Sequence, residues 1–439
     1  MTSTARPEDD DAATAAERRI ALAREWDRLI AQAHRLGFKD FLAPRLPSLL
    51  PAAQHGPVVL LNTSRWRCDA LVVTTGGVHV EPLPRLTLES AVDHTVEYLV
   101  TLQEVDLAVH DLQTVAPLDE DAQVTSVAPV AEAQRRAQAM LAVHRALEKR
   151  EAMLAALLRW LWDTVAEPVL TFLGFADQPG DDAAAWPRLW WCPTGLLTLL
   201  PVHGAGHHDG SRRAVLDRVV SSYTPTLRAL TAARRPLDES PAEERMLIVS
   251  VPDAAGQLRL TAADRERELL TSLFPGRYTL LQGPDATAER VRAELVRHRW
   301  VHFSCHGGQD VLDPSKASLS LHDGDALRVT DIGAQRHRGE FTFLSACQTA
   351  TGGVRLPDET ITLAAALHHT GYRQVVGTLW SVYDDIAADV AAQVYRDLTS
   401  TGRFEPGSAA RALHTAVRRL RDEQRAAPGD WAPFTHTGP

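Results

Sequence analysis

WVHFSCHGG (300–308) and EFTFLSACQTATGG (340–353) are two apolar runs, each ending abruptly in a short polar, glycine-bearing segment. Valine, phenylalanine and tryptophan in runs of this length predict buried strands. The first ends in His306–Gly307–Gly308 and the second in Ser345–Ala346–Cys347, so each carries one reactive side chain at its carboxyl end. The segment between them is long enough for one crossover and one hairpin, which allows the two strand ends to be neighbours.

Working outward, the same alternation continues on both sides. LWWCP (189–193), MLIVSV (246–251), YTLLQ (278–282) and QVVGTLW (374–380) predict strands. Helical patterns lie between or after them: ADRERELLTSLF, TAERVRAELVRH with Thr287 at its start, TITLAAALHHTG ending at Gly371, then 384–399 and 407–425. Strands alternating with helices of this length predict βαβ units and a mainly parallel sheet. In such sheets ligands bind beyond the carboxyl ends of the strands.

The first 185 residues read differently. Residues 1–16 are polar and acidic and predict a disordered tail. From 17 to 185 the pattern is α+β. A helix over 17–36 shows Ile20, Leu22, Trp26, Leu29 and Ile30 on one face. A strand follows at 57–62, then a hairpin over 68–83 around Gly76–Gly77. A helix covers 87–105, a loop 107–128, and a long helix about 130–172. This region is the expected regulatory and partner-docking part, and 186–439 the expected catalytic domain.

Bulk properties exclude several functions. The net charge of −10 argues against nucleic-acid binding through phosphate contacts. Cys68, Cys192, Cys305 and Cys347 are scattered, with no C-x-x-C pair, so neither a disulfide framework nor a metal site is expected. No apolar run is long enough to span a membrane, and the amino terminus has no signal-peptide core. No phosphate-binding or dinucleotide motif appears, so no cofactor is expected. A cytoplasmic location follows, where thiols stay reduced.

Cys347 and His306 together have the chemistry of a cysteine peptidase. The imidazole takes the thiol proton, favours the thiolate and later protonates the leaving amine. The amides of Gly307 and Cys347 are the natural donors to an oxyanion. On spacing alone, a small buried cysteine and a loop histidine fit the same positions. Cys305, beside His306 on its strand, is expected to point to the opposite, core side. His207–His208 are expected in solvent, and His368–His369 at a helix end where a cation suits the dipole.

From Arg188 to the carboxyl terminus the sequence resembles a CHAT domain, a branch of the caspase-like peptidases related to separase. The resemblance rests on six ordered motifs: LWWCPTGLLTLLPVHGAG, YTPTLRAL, VHFSCHG, LSACQTATGG, GYRQVVGTLWSVYDDIA and WAPFTHTG. It implies a caspase-like, mainly parallel sheet flanked by helices. It also implies His306 as base, Cys347 as nucleophile, a protein substrate and an activating protein partner, with bacterial defence or cell death as the setting. Asp384 and Asp385 follow the LWSVY strand, and by the resemblance an acid there selects a basic substrate side chain. An ordinary helix-start acid is the alternative reading of Asp384. Relatives preferring basic residues often carry aspartate two positions before the cysteine, where this chain has Ser345. A non-catalytic adaptor keeping the same fold is the alternative function. Another thiol hydrolase lacks its expected G-x-S-x-G elbow near Cys347.

Overall fold

Among the described residues fourteen strands form in the computed structural model, nine of them from the runs read as strands above. They are β1 (Val58–Asn62), β2 (Asp69–Thr74), β3 (Gly77–Pro82), β4 (Arg188–Pro193), β5 (Val220–Tyr223), β6 (Glu243–Ser250) and β7 (Tyr278–Gln282). Then come β8 (His298–Ser304), β9 (Gly307–Gly308), β10 (Ser318–Ser320), β11 (Ala326–Arg328), β12 (Phe341–Ser345), β13 (Gln374–Thr378) and β14 (Phe434–Thr437). The structure describes 49–115, 127–180, 186–235, 243–254, 257, 259–309, 313–335, 337–346, 349–350, 362–422 and 426–439, with residues 25, 28, 29, 32 and 35. Cys347 lies outside the described residues, as do the 1–16 tail and most of the helix expected over 17–36.

Eleven strands share one sheet, in the order β3-β2-β1-β4-β5-β14-β13-β12-β8-β6-β7. The sheet is mainly parallel, as the alternating pattern predicts, but it is built of two blocks. β1, β4, β5 and β14 are parallel to one another. β13, β12, β8, β6 and β7 are parallel to one another as well. β14 runs antiparallel to β13, so the blocks point in opposite directions. The ladder from β1 to β4 (Val58↔Trp190 to Leu61↔Pro193) joins strands from either side of residue 185. Residues 52–439 fall in one compact unit and 1–51 in another. The three short strands β9, β10 and β11 make a second small sheet.

Helices cover the large sheet. Those used below are α1 (Leu88–Thr114), α2 (Val127–Leu161), α3 (Ala263–Leu273), α4 (Ala288–Leu295), α5 (Leu363–Thr370), α6 (Asp384–Leu398) and α7 (Ala409–Asp422). Their starts have chemical causes. Thr87 and Ser90 form a capping box on α1. Thr287 accepts the Arg290 amide at α4, and Thr362 the Ala365 amide at α5. Gly371 closes α5 at φ 129°, in the region that favours glycine.

Two helices differ from the sequence expectation. α1 continues to Thr114 rather than ending near 105, because 106–114 holds no glycine or proline and the first breaker is Pro117. The long helix is interrupted by a π turn at Trp162–Ala166 before Glu167–Phe172. Pro168 has no N–H to give to the preceding turn, and its ring crowds the carbonyl four residues back, so the ladder reorganises there.

Candidate active site

The ladder between β8 and β12 brings the two decisive stretches together. The strands are adjacent and parallel, in register from Phe341↔Trp300 to Ser345↔Ser304. Ser304 and Ser345 therefore stand side by side at the carboxyl edge. His306 is two residues beyond Ser304, half-buried at the rim of a pocket. On the other strand, Ala346 is held in place. Its carbonyl accepts from Thr378 Oγ1 at 3.0 Å, and the Thr349 hydroxyl accepts the Thr378 amide at 3.1 Å. Ala350 N donates to the Thr378 carbonyl at 2.8 Å. A Cβ on Gly377 would come within 2.8 Å of Thr349 Oγ1, so this approach requires glycine. The chain is thus fastened to β13 just before and just after Cys347.

Gly307 opens β9, an edge strand of the small sheet. Ser320 N donates to the His306 carbonyl at 2.8 Å, and Gly307 faces Leu319 across the ladder. Bonded and non-bonded pairs alternate in an antiparallel ladder. Gly307 falls on a non-bonded pair, so its N–H is directed away from β10. Cys305 is buried in the apolar cluster that holds Val249, Val301 and Phe303, on the core side as expected.

Below the rim lies a residue that the sequence reading passed over. Glu266, on α3, is 4% exposed and lines the pocket floor. Ser345 Oγ donates to its Oε1 at 2.6 Å, and Ser304 Oγ donates to its Oε2. His302 Nε2 is 3.4 Å from Oε2, and His302 Nδ1 is 3.1 Å from the Tyr395 hydroxyl. Burial, and then the charge of Glu266, push the Tyr395 phenol well above its ordinary value. Glu266 follows Ala263 by three positions and precedes Leu270 by four, so it sits on the buried face of an otherwise amphipathic helix. An acid on that face is the sequence signal that marks it.

Asp384 also lines the pocket. Its Oδ2 accepts from Thr261 Oγ1 at 2.9 Å and from Ala262 N at 3.0 Å, and its Oδ1 from Asp385 N at 3.1 Å. Burial works to raise this carboxyl, but the donors from Ala262, Thr261 and Asp385 prevail and hold it below the usual carboxylate range. Asp384 thus ties the start of α6 to the start of α3. Asp385 points to solvent, its side chain 72% exposed, and pairs with Arg265 at 3.1 Å.

His207, His208 and His368 depart from their expected settings, whereas His369 is exposed in the last turn of α5 as expected. His207 lies 3.0 Å from Asp163, and His208 is half-buried edge-on to Trp431 with Nε2 2.8 Å from the Gly204 carbonyl. His368 is not a helix-end cation: burial pushes its pKa down to about 4, and Nδ1 sits 3.1 Å from the Tyr372 carbonyl. Among the described residues no group of His, Cys, Asp and Glu is arranged to hold a metal ion. No helix among them is long and apolar enough to cross a membrane.

Comparison with known proteins gives one family and one fold. The CHAT domain family model matches residues 155–439. No curated protein matches the sequence. The fold resembles a chain of the Saccharomyces cerevisiae separase–securin complex, with a TM-score of 0.53 at 10% identity over 90% of this chain and 31% of that one. A second structure of that complex gives 0.52 at 12% identity, over 89% and 30%. This chain therefore spans about a third of the length of those it matches. Porphyromonas gingivalis RgpB, as the complex of its pro- and mature domains, gives 0.41 at 10% identity over 63% and 69%, a likeness too loose to build on.

Proposed function

The chain belongs to the CHAT domain family, and we propose on that premise that it is a cysteine endopeptidase with Cys347 as nucleophile and His306 as general base. The caspase-like fold supports a protease-like activity. One observation carries the finer reading: Ser304 and Ser345 are paired across adjacent parallel strands, and His306 and Cys347 each follow two residues later.

In this mechanism His306 takes the Cys347 thiol proton, and the thiolate attacks the scissile carbonyl. The N–H groups of Gly307 and Cys347 receive the oxyanion. Collapse breaks the C–N bond, and His306 gives its proton to the departing amine. Water, deprotonated by His306, then hydrolyses the thioester and regenerates the thiol. No metal or cofactor takes part. Asp384 adds negative charge at the pocket and favours a basic substrate side chain, while Asp385, bound to Arg265, contributes only to the local field.

An activating protein partner completes the proposal. The separase structures are of a complex with securin, and a partner that governs the cleft is proposed here too. Its docking region is 17–185, where Trp66, Val92, Val96 and Val100 are exposed apolar residues. The unbridged thiols Cys68 and Cys192 suit a cytoplasmic protein, and the setting proposed is bacterial defence or cell death.

A thiol-directed activity probe tests this. Wild type is expected to label and to cleave a peptide library, and Cys347→Ala to do neither. Absence of labelling with every candidate activator present favours the adaptor reading.

A further inference from the structure

A second cavity opens at the other end of the sheet, away from the proposed cleft. β5 ends at Tyr223, level with Thr437 of β14 and with Val375 near the start of β13. Helix Leu227–Ala233 follows β5, residues 337–340 lead into β12, and Gly371–Arg373 lead into β13. The cavity lies among these three segments and encloses about 490 Å³. It sits beyond the carboxyl end of β5, where the sheet reverses direction, and α/β sheets leave room for ligands at such places. The backbone around it is firmly held. Arg373 N donates to the Gly339 carbonyl at 3.2 Å, and a Cβ on Gly371 would overlap the His337 carbonyl.

The lining carries one sign of charge. Arg228, Arg235, Arg338 and Arg373 contribute to it, and no described aspartate or glutamate does. Arg373 donates to the Arg235 carbonyl. The acid that acts on Arg373 is Glu340, which lies 3.6 Å from Arg299 and accepts from Trp300 Nε1 at 3.0 Å. Four guanidinium groups around one hollow repel one another, in a chain whose net charge is −10.

Exposed arginines alone would be a solvated face. The floor distinguishes this cavity from one. His337 and His368 line it and are only 5% and 4% exposed. His368 Nδ1 faces the Tyr372 carbonyl at 3.1 Å and so carries the proton, which leaves Nε2 as a bare acceptor. That Nε2 makes no hydrogen bond among the described residues, and neither do the ring nitrogens of His337. The Arg373 and Ile332 carbonyls act on the two rings but are not placed to accept from them. Buried polar atoms left in this state call for a partner from outside the chain.

We infer that this cavity binds a small molecule carrying two or more phosphate groups. The guanidinium fork matches pairs of phosphate oxygens. A phosphate monoester loses its second proton at about pH 6, so near neutrality it can share a proton with an imidazole, which sulfate cannot do. The volume is that of a small-molecule site. Ala229, Ala232 and Ala233 keep one wall low. Tyr372, the one described Phe, Tyr or Trp of the lining, is fully buried, so phosphates and not a stacked base carry the recognition. The site goes beyond the peptidase reading and does not depend on it.

Isothermal titration of the full chain at about 0.15 M salt tests the inference. Tripolyphosphate is expected to bind with a Kd below about 100 μM. Inorganic phosphate is expected to displace it at concentrations at least about fivefold lower than sulfate requires. Adenosine triphosphate and fructose bisphosphate are titrated beside it, and tighter binding of either supports the site and identifies the carrier of the phosphates. Arg228→Ala combined with Arg338→Ala changes two exposed side chains and is expected to weaken tripolyphosphate at least about 30-fold. Arg145→Ala, at an exposed arginine of α2, leaves binding unchanged. The inference is overturned if tripolyphosphate does not bind, if phosphate and sulfate displace it equally, or if the two-arginine variant keeps wild-type affinity. It is overturned as well if Arg145→Ala loses as much, or if a single-stranded oligonucleotide or a hexaglutamate peptide binds more tightly than every small phosphate.

Discussion

Two polar clusters are buried in this sheet, and they resolve burial in opposite ways. Beneath the β8–β12 edge, Glu266 keeps a carboxylate against two serines and opens onto a pocket. In the other block, around β5 and β14, Arg188 donates to Ser222 Oγ at 2.7 Å, Ser222 lies 2.8 Å from His436 Nδ1, and His436 Nε2 lies 2.7 Å from Gln374 Oε1. That chain runs from the Arg188 guanidinium through an imidazole to an amide, and burial pushes His436 well below its ordinary value. His203, 2.9 Å from the Tyr223 hydroxyl, and His414, against Trp186, are pushed down to about 4 and about 3, mainly by burial. One cluster gathers imidazoles that burial pushes down, with the Arg188 guanidinium at one end of the chain. The other gathers hydroxyl donors around a buried acid beside the β8–β12 edge.

The largest expected difference between them is kinetic. His306→Ala is expected to lower kcat/KM for the best peptide by at least about 10³-fold. His436→Ala, in the histidine cluster, changes the rate per folded molecule by less than about twofold. Equal losses in both would erase the contrast.

Stability runs the other way. His436→Ala leaves Ser222 and Gln374 without their partner in a closed interior and is expected to cost about 3 kcal/mol in urea unfolding. Acid acts on the same cluster. His203 and His414 titrate lower in the folded chain than the ordinary histidine value of about 6.5. The unfolded chain therefore binds more protons below that pH. Their stability contribution is complete above pH ~6.5 and is lost as pH falls towards about 4 for His203 and about 3 for His414. His414→Gln is expected to recover about 2 kcal/mol of the loss between pH 7 and pH 5, measured by unfolding at each pH.

Glu266→Gln replaces a buried acid and keeps an acceptor for the serines. It is expected to raise stability by about 1 kcal/mol in urea unfolding. A stability loss of several kcal/mol would make Glu266 scaffold like His436. The smallest effect belongs to Asp385→Asn. That side chain is exposed and its partner Arg265 also holds Asp389 at 2.6 Å, so unfolding should shift by less than about 0.5 kcal/mol.

Much of this was legible in the sequence, for physical reasons. A strand buried on both faces must be continuously apolar, so β8, β12 and β13 announce themselves. Threonine caps and Gly371 mark helix ends by local chemistry. Glu266 was missed because one acid in ADRERELLTSLF looks like its neighbours until the buried face of α3 is known. His207 and His208 were misread because their surroundings come from far along the chain, here Asp163 and Trp431, and His368 because local pattern does not show that the last turn of α5 is buried.

Local pattern thus determined the elements and the two reactive strand ends, since strand period and helix caps act over a few residues. Tertiary structure alone decided that β8 lies beside β12, that the sheet reverses direction between β13 and β14, and that α3 sets an acid under both edges. Those outcomes depend on strand pairing and burial between residues 40 or more positions apart, which no local pattern encodes.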